Sequence, residues 1–202
     1  EDISRYGNLR GELAENRVYP HLAENLSAFL ADTLLPTTDL VLDSREKKER
    51  AQFFTNPELC AITEDLVLTE PYHNCKNRNI VTPGNEAFVE EFLYRDGELK
   101  AEAARLRCGF MNNAQALLHG DLHTGSIFAN AEGVKIIDPE FAFYGPMGYD
   151  IGNVIGNLFF SWGNKAFTAP GEAGAAAALE KMIAVASPKT RSFCSRTRRK
   201  IN

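Results

Sequence analysis

His119, Asp121, His123, Asp138 and Glu140 fall in one short stretch of the chain, and their types and spacing suit proton transfer and cation binding. Between them, Ile127-Phe128-Ala129 and Val134-Lys135-Ile136-Ile137 read as two short strands joined by a tight turn at Asn130 to Gly133. Asp121 precedes the first strand, and Asp138 and Glu140 follow the second. Paired strands run about 5 Å apart, so a hairpin brings all three carboxylates to a common end. Phosphoryl transfer needs one carboxylate to orient an attacking hydroxyl and accept its proton, and separate hard oxygen ligands to hold Mg2+ against nucleotide phosphates. Asp121 is placed for the first task, Asp138 and Glu140 for the second. An extended Asp138-Pro139-Glu140 segment would turn both of its carboxylates to one side, with Pro139 stiffening it. Taken singly, the aspartates also read as turn residues and the histidines as satisfied core groups; together they define a candidate site.

The elements that must position this site are mostly helical. Glu1 to Pro36 reads as largely helix, with His21, Leu22, Leu26, Phe29, Leu30 and Leu34 forming the apolar face of a segment that starts after Tyr19-Pro20 and ends near Pro36. Ser44 to Phe54 is highly charged. Asn56-Pro57-Glu58-Leu59 reads as an N-cap with proline in the first helical position. Glu70 to Asn85, rich in Pro, Asn and Gly, predicts a surface loop. Ala87 to Gln115 returns to helical spacing, broken at Asp96-Gly97, and Ala116-Leu117-Leu118 is a short apolar run before the polar loop His119 to Ser126.

Composition sets the class. The 202 residues are 44% hydrophobic and 24% charged, the balance of a globular domain, and no apolar run approaches the roughly 20 residues of a membrane-spanning helix. The reading is a protein without a membrane partner, located in the cytoplasm. Four widely spaced cysteines fit reduced thiols better than a zinc site or a disulfide framework. Six of the 22 basic residues lie between Lys189 and Lys200, so the body up to Pro188 holds 16 basic against 27 acidic side chains. Such a body is a poor match for nucleic acid, whose binding draws on Lys and Arg against phosphates. The basic end reads as a solvated, partly disordered tail.

His119-Gly120-Asp121-Leu122-His123-Thr124-Gly125-Ser126-Ile127, followed by Asp138-Pro139-Glu140-Phe141-Ala142-Phe143-Tyr144-Gly145-Pro146-Met147-Gly148, resembles the catalytic and metal-binding loops of the 5-methylthioribose kinase family. That family belongs to the aminoglycoside-phosphotransferase and choline-kinase branch of the protein-kinase-like fold. The wider branch shares H-G-D-L-H with a following D-x-E or D-x-D; the longer runs are specific to the methylthioribose member. Phe54-Thr55-Asn56-Pro57-Glu58-Leu59-Cys60 and Ile62 to Leu66 are similar to the same family, and the likeness covers roughly residues 1 to 165.

The resemblance implies an α+β fold: the mainly helical C-terminal lobe of a kinase-like domain, with a short β-hairpin carrying the catalytic and metal loops. It assigns the base to Asp121, which also contacts the substrate, and the Mg2+ ligands to Asp138 and Glu140. His119 and Gly120 shape the loop, and Asp150 braces it or caps the helix that follows. Ser126 stands where most of the branch has Asn and would offer its hydroxyl to metal or phosphate. Glu1, Asp2 and Ile3 resemble the hinge whose main chain meets adenine. ATP, Mg2+ and a small sugar are the implied ligands, and a homodimer is a further expectation. No Gly-rich loop or strand lysine precedes the hinge, and the likeness fades after about Trp162. The expected organisation is therefore a hinge and partial lobe over residues 1–165 and a divergent tail over 166–202, a fragment inactive by itself. Two function classes follow: a methylthioribose kinase, with choline and aminoglycoside kinases as relatives sharing the short motif, or a kinase-like remnant that binds a partner.

Overall fold

A computed structural model describes residues 2–168, 177 and 179–181. Its elements in chain order are β1 (Gly7–Asn8), α1 (Leu9–Ala14), α2 (Leu22–Leu34), α3 (Ser44–Phe53), α4 (Pro57–Leu66), α5 (Glu70–His73), α6 (Glu86–Val89), α7 (Gly97–Asn112), β2 (Ala116–Leu118), β3 (Ile127–Ala129), β4 (Val134–Ile136), β5 (Phe143–Gly145) and α8 (Gly148–Thr168). Short 3-10 turns cover Leu35–Thr37 and Pro139–Phe141, and a π-helical stretch, Glu90–Tyr94, continues α6.

α2 is the centre of the core. Leu22, Leu26, Leu30 and Leu34 recur every four residues and are all buried with Ala23, as the periodicity predicts. Each such leucine contributes on the order of 1.5–3 kcal/mol on burial. The helix ends before Pro36 in a 3-10 turn, where the Thr37 hydroxyl donates to Leu34 O at 2.8 Å and accepts from Leu117 N–H at 2.9 Å. That exchange ties the end of α2 to β2. Phe110 of α7 packs against Phe143 and Tyr149 with ring centroids 4.6 and 4.9 Å apart.

Two small antiparallel sheets hold the site. One orders β1-β3-β4, with Ile127 opposite Ile136 and Asn8 opposite Phe128; the other pairs β2 with β5, Leu117 opposite Tyr144. The hairpin is as expected. The chain before it departs from the expected helix: residues 7–8 form a strand because Gly7 and Asn8 lie alongside Ala129 and Phe128, a partner no local pattern reveals. The charged stretch is helix α3, capped by the Asp43 carboxylate, which accepts from Arg45 and Glu46 N–H at 2.9 Å each. The break before α7 is capped by Asp96, accepting from Leu99 N–H at 2.9 Å. The 70–85 loop opens with the one-turn helix α5, whose buried Glu70 receives Arg78 Nε and a second guanidinium nitrogen at 2.6 Å each. α8 runs through residue 165 to Thr168, and most of the expected tail, 166–202, lies outside the described residues. Among the described residues, no helix is long and apolar enough to cross a membrane.

Candidate active site

The hairpin brings its two flanking loops together. β3 and β4 pair from Ile127–Ile136 to Ala129–Val134, and Ile137 N–H donates to Ser126 O at 3.0 Å, so the ladder continues past the strands toward the carboxylates. The loop from His119 to Ser126 is then held from several directions. Asp150 is 1% exposed; its carboxylate accepts His119 N–H at 2.7 Å and Gly120 N–H at 3.1 Å. Burial pushes the Asp150 carboxyl above its ordinary value, and the two N–H donors and His119 pull it down by less. Asp150 lies within the first turn of α8, which begins at Gly148, so its carboxylate braces the loop and does not sit at the helix cap.

His119 links the two loops. Nε2 lies 2.9 Å from Ile137 O, and Nδ1 accepts from Asp121 N–H at 3.3 Å, a pair of bonds that selects the Nε2–H tautomer. Gly120 has φ +85°, and a Cβ there would stand 2.1 Å from Phe141 O, so only glycine lets the loop lie against the 139–141 turn. His123 Nδ1 accepts from Gly125 N–H at 2.8 Å and Ser126 N–H at 3.2 Å, which leaves Nε2 facing Asp121 Oδ2 at 3.4 Å. The Asp121 side chain is 43% exposed, open to an incoming hydroxyl.

Two expectations change at this point. The Ser126 hydroxyl, expected to face metal or phosphate, is buried within the loop: it lies 2.9 Å from the carbonyls of Asp121 and His123 and accepts His123 N–H at 3.1 Å. It acts as a staple, because a short hydroxyl side chain satisfies nearby backbone groups before it can reach outward. The Asp138-Pro139-Glu140 segment is not extended. Asp138 is left-handed at φ 68° and Pro139–Phe141 is a 3-10 turn, so the argument from alternating side chains does not hold. Both carboxylates remain exposed, with no hydrogen bond or ion pair among the described residues. Among the described residues, no three His, Cys, Asp or Glu side chains converge on a metal position. Two hard carboxylates suit Mg2+, which takes one or two from the protein and the remaining oxygens from phosphates and water.

At the expected hinge, the Asp2 carboxylate accepts Ser4 N–H at 2.9 Å and Ile3 O accepts Tyr6 N–H at 2.9 Å; Glu1 lies outside the described residues. Three asparagines that the sequence did not place at the site support the loops. Asn8 accepts Arg10 N–H to start α1 and donates to Gly125 O at 2.7 Å. Asn157 on α8 accepts from the Thr124 hydroxyl at 3.2 Å. Asn56, read as a helix cap, makes no capping bond and instead reaches Glu140 O. No spacing rule marks these contacts, which join positions far apart in the chain.

Residues 9–188 match the Phosphotransferase enzyme family (APH), and the chain belongs to that family. Within it, the chain is similar to methylthioribose kinases. It is 48% identical to that of Exiguobacterium sibiricum over 161 residues, covering 80% of this chain and 41% of the relative. It is 47% identical to that of Geobacillus kaustophilus over 164 residues, 80% of this chain and 40% of the relative. For the Escherichia coli protein the figures are 46% over 164 residues, 81% and 38%. The chain therefore spans about 40% of the length of the curated relatives it matches.

Proposed function

We propose that this chain supplies the catalytic and metal-binding loops of an ATP- and Mg2+-dependent kinase that phosphorylates the 1-hydroxyl of 5-methylthioribose in methionine salvage, in the cytoplasm. The observation that carries the reading is the placement of Asp121: an accessible carboxylate on a loop pinned by Asp150, His119 and Ser126, at the same end of the hairpin as the unengaged Asp138 and Glu140. Similarity of 46–48% to methylthioribose kinases supports this acceptor over choline or an aminoglycoside.

In this reading Asp121 orients the sugar hydroxyl and accepts its proton as the oxygen attacks the terminal phosphoryl group. His123 Nε2, at 3.4 Å, steadies the carboxylate that does so. Asp138 and Glu140 would hold Mg2+, whose charge offsets that of the phosphates. Positioning supplies much of such catalysis, which is why so many bonds are spent on the loop backbone.

The test is transfer from Mg-ATP to 5-methylthioribose, choline or kanamycin, followed by 31P NMR, with saturation-transfer NMR of each acceptor as a separate readout of binding. Binding of 5-methylthioribose alone, with little or no transfer by this chain on its own, is the expected result. Preference for choline or kanamycin would overturn the substrate assignment, and no interaction with any acceptor would favour a partner-binding remnant.

A further inference from the structure

Asn56 occupies a helix-cap position without capping. Its carbonyl accepts the first bond of α4, from Cys60 N–H at 3.1 Å, but its side chain makes no bond to the helix. Asparagine in that position ordinarily accepts from an N–H of the first turn. Here the backbone is left-handed, φ 41° and ψ 50°, and the carboxamide reaches across the fold. Nδ2 donates to Glu140 O at 2.7 Å and to Ala142 O at 3.3 Å, and Tyr144 N–H donates to Phe54 O at 3.1 Å along the same seam.

The turn that receives these bonds has little support of its own. Asp138 enters it in a conformation uncommon for residues other than glycine, and one internal bond, Ala142 N–H to Pro139 O at 3.0 Å, closes it. From the other side, Gly120 allows the catalytic loop to touch Phe141 O. The turn is thus held between that loop and the start of α4.

We propose that Asn56 is a positioning residue for the metal-binding turn: its carboxamide fixes the Glu140 and Ala142 carbonyls against the start of α4, and with them the Asp138 and Glu140 carboxylates. The proposal rests on the reading of those carboxylates as Mg2+ ligands. The competing explanation is that asparagine stands at 56 because it tolerates a left-handed backbone. The two differ in what glycine would do.

The experiment is hydrogen exchange with mass spectrometry on the whole chain and its N56G and N56D variants. Asn56→Gly keeps the backbone conformation and removes the amide; Asn56→Asp keeps the shape and turns an acceptor toward two carbonyls. The expected result is exchange about tenfold faster at Ala142 and Tyr144 in both variants, with His119 and Gly120 unchanged. Wild-type exchange in Asn56→Gly, or uniform acceleration along the chain, overturns the proposal. If Asn56→Asp fails to fold, Asn56→Gly decides. A Mn2+ titration with ATP, read by water-proton relaxation, should show roughly tenfold weaker binding in the variants, the scale of losing an outer support of a metal site. Unchanged Mn2+ affinity despite an opened turn also overturns the positioning role. Wild-type binding insensitive to Asp138→Asn and Glu140→Gln would instead refute the metal reading, while the exchange data still report whether Asn56 holds the turn.

Discussion

Replacing Asp150 with alanine should be among the most damaging changes available near the site. The carboxylate is 1% exposed and satisfies two buried N–H groups, at 2.7 Å to His119 and 3.1 Å to Gly120. Leaving a buried donor unpaired costs about 1–3 kcal/mol, so the two together cost about 2–6 kcal/mol. Part of this is returned, because burial already disfavours the charge, as the raised carboxyl value indicates. A net loss of about 3 kcal/mol is the expected outcome, which for a body of this size lowers the melting temperature by roughly 6–12 °C. An asparagine at this position would retain one acceptor, so Asp150→Asn should lose about half as much. pH separates the contributions further. The folded carboxyl binds its proton more tightly than the unfolded one, whose ordinary value is 3.8. Its contribution is therefore fully present below that value and is lost as pH rises through the raised folded value. The wild-type advantage over Asp150→Asn should narrow over that rise. Urea melts followed by circular dichroism at several pH values measure both effects. An Asp150→Ala variant within about 0.5 kcal/mol of wild type would refute the bracing role, since that is the scatter of surface substitutions.

Gly120→Ala should cost about 2 kcal/mol or more in the same melts, because its Cβ meets Phe141 O at 2.1 Å in a left-handed backbone; a neutral substitution would mean the loop and turn are not in contact. Carried by a full-length methylthioribose kinase, Asp121→Asn should lower phosphoryl transfer by roughly 10²–10⁴-fold with nucleotide affinity little changed, and near-normal turnover would remove it as the base. In the same full-length context, Glu140→Gln and Asp138→Asn should raise the Mg2+ concentration needed for half-maximal activity; because the Ser126 hydroxyl is engaged inside its loop, Glu140 should matter more than an auxiliary ligand usually would. Arg17 and then Tyr19 bond the Glu12 carboxylate and hold it below its ordinary value of 4.5, so its contribution is present above that value and lost as pH falls through the depressed one. Glu12→Gln should accordingly flatten the acid limb of the stability profile, and an unchanged limb would exclude this cluster.

The hairpin that carries the candidate residues was legible because it is local. Asp121, Asp138 and Glu140 flank two short apolar runs that are contiguous with their turn, so those runs and a Gly-containing turn suffice to bring the loops to one end. α2 was legible for the same reason: its leucines repeat at helical spacing within one segment. The conformation of Asp138 to Phe141 was not, since local extension would have left Glu140 O and Ala142 O without the donor that Asn56 provides from 84 and 86 residues away. The Ser126 hydroxyl shows the limit in another form. Residue type permits an outward or an inward role, and only the packed loop shows it bonded to Asp121 and His123.

The order of the chain by itself determined the chemical groups, their sequence along the hairpin and the amphipathic helices beneath them, because these follow from side-chain type and from periods of two and 3.6 residues. The tertiary structure alone decided which distant groups hold the loops: Asn8 to Gly125 across 117 positions, Asp150 to His119 across 31 and Asn157 to Thr124 across 33. It also decided that β1 joins β3 and that β2 pairs with β5. Such contacts form only after loop closure has been offset by burial elsewhere, and a polar side chain takes whichever unsatisfied backbone group the packed core leaves within reach.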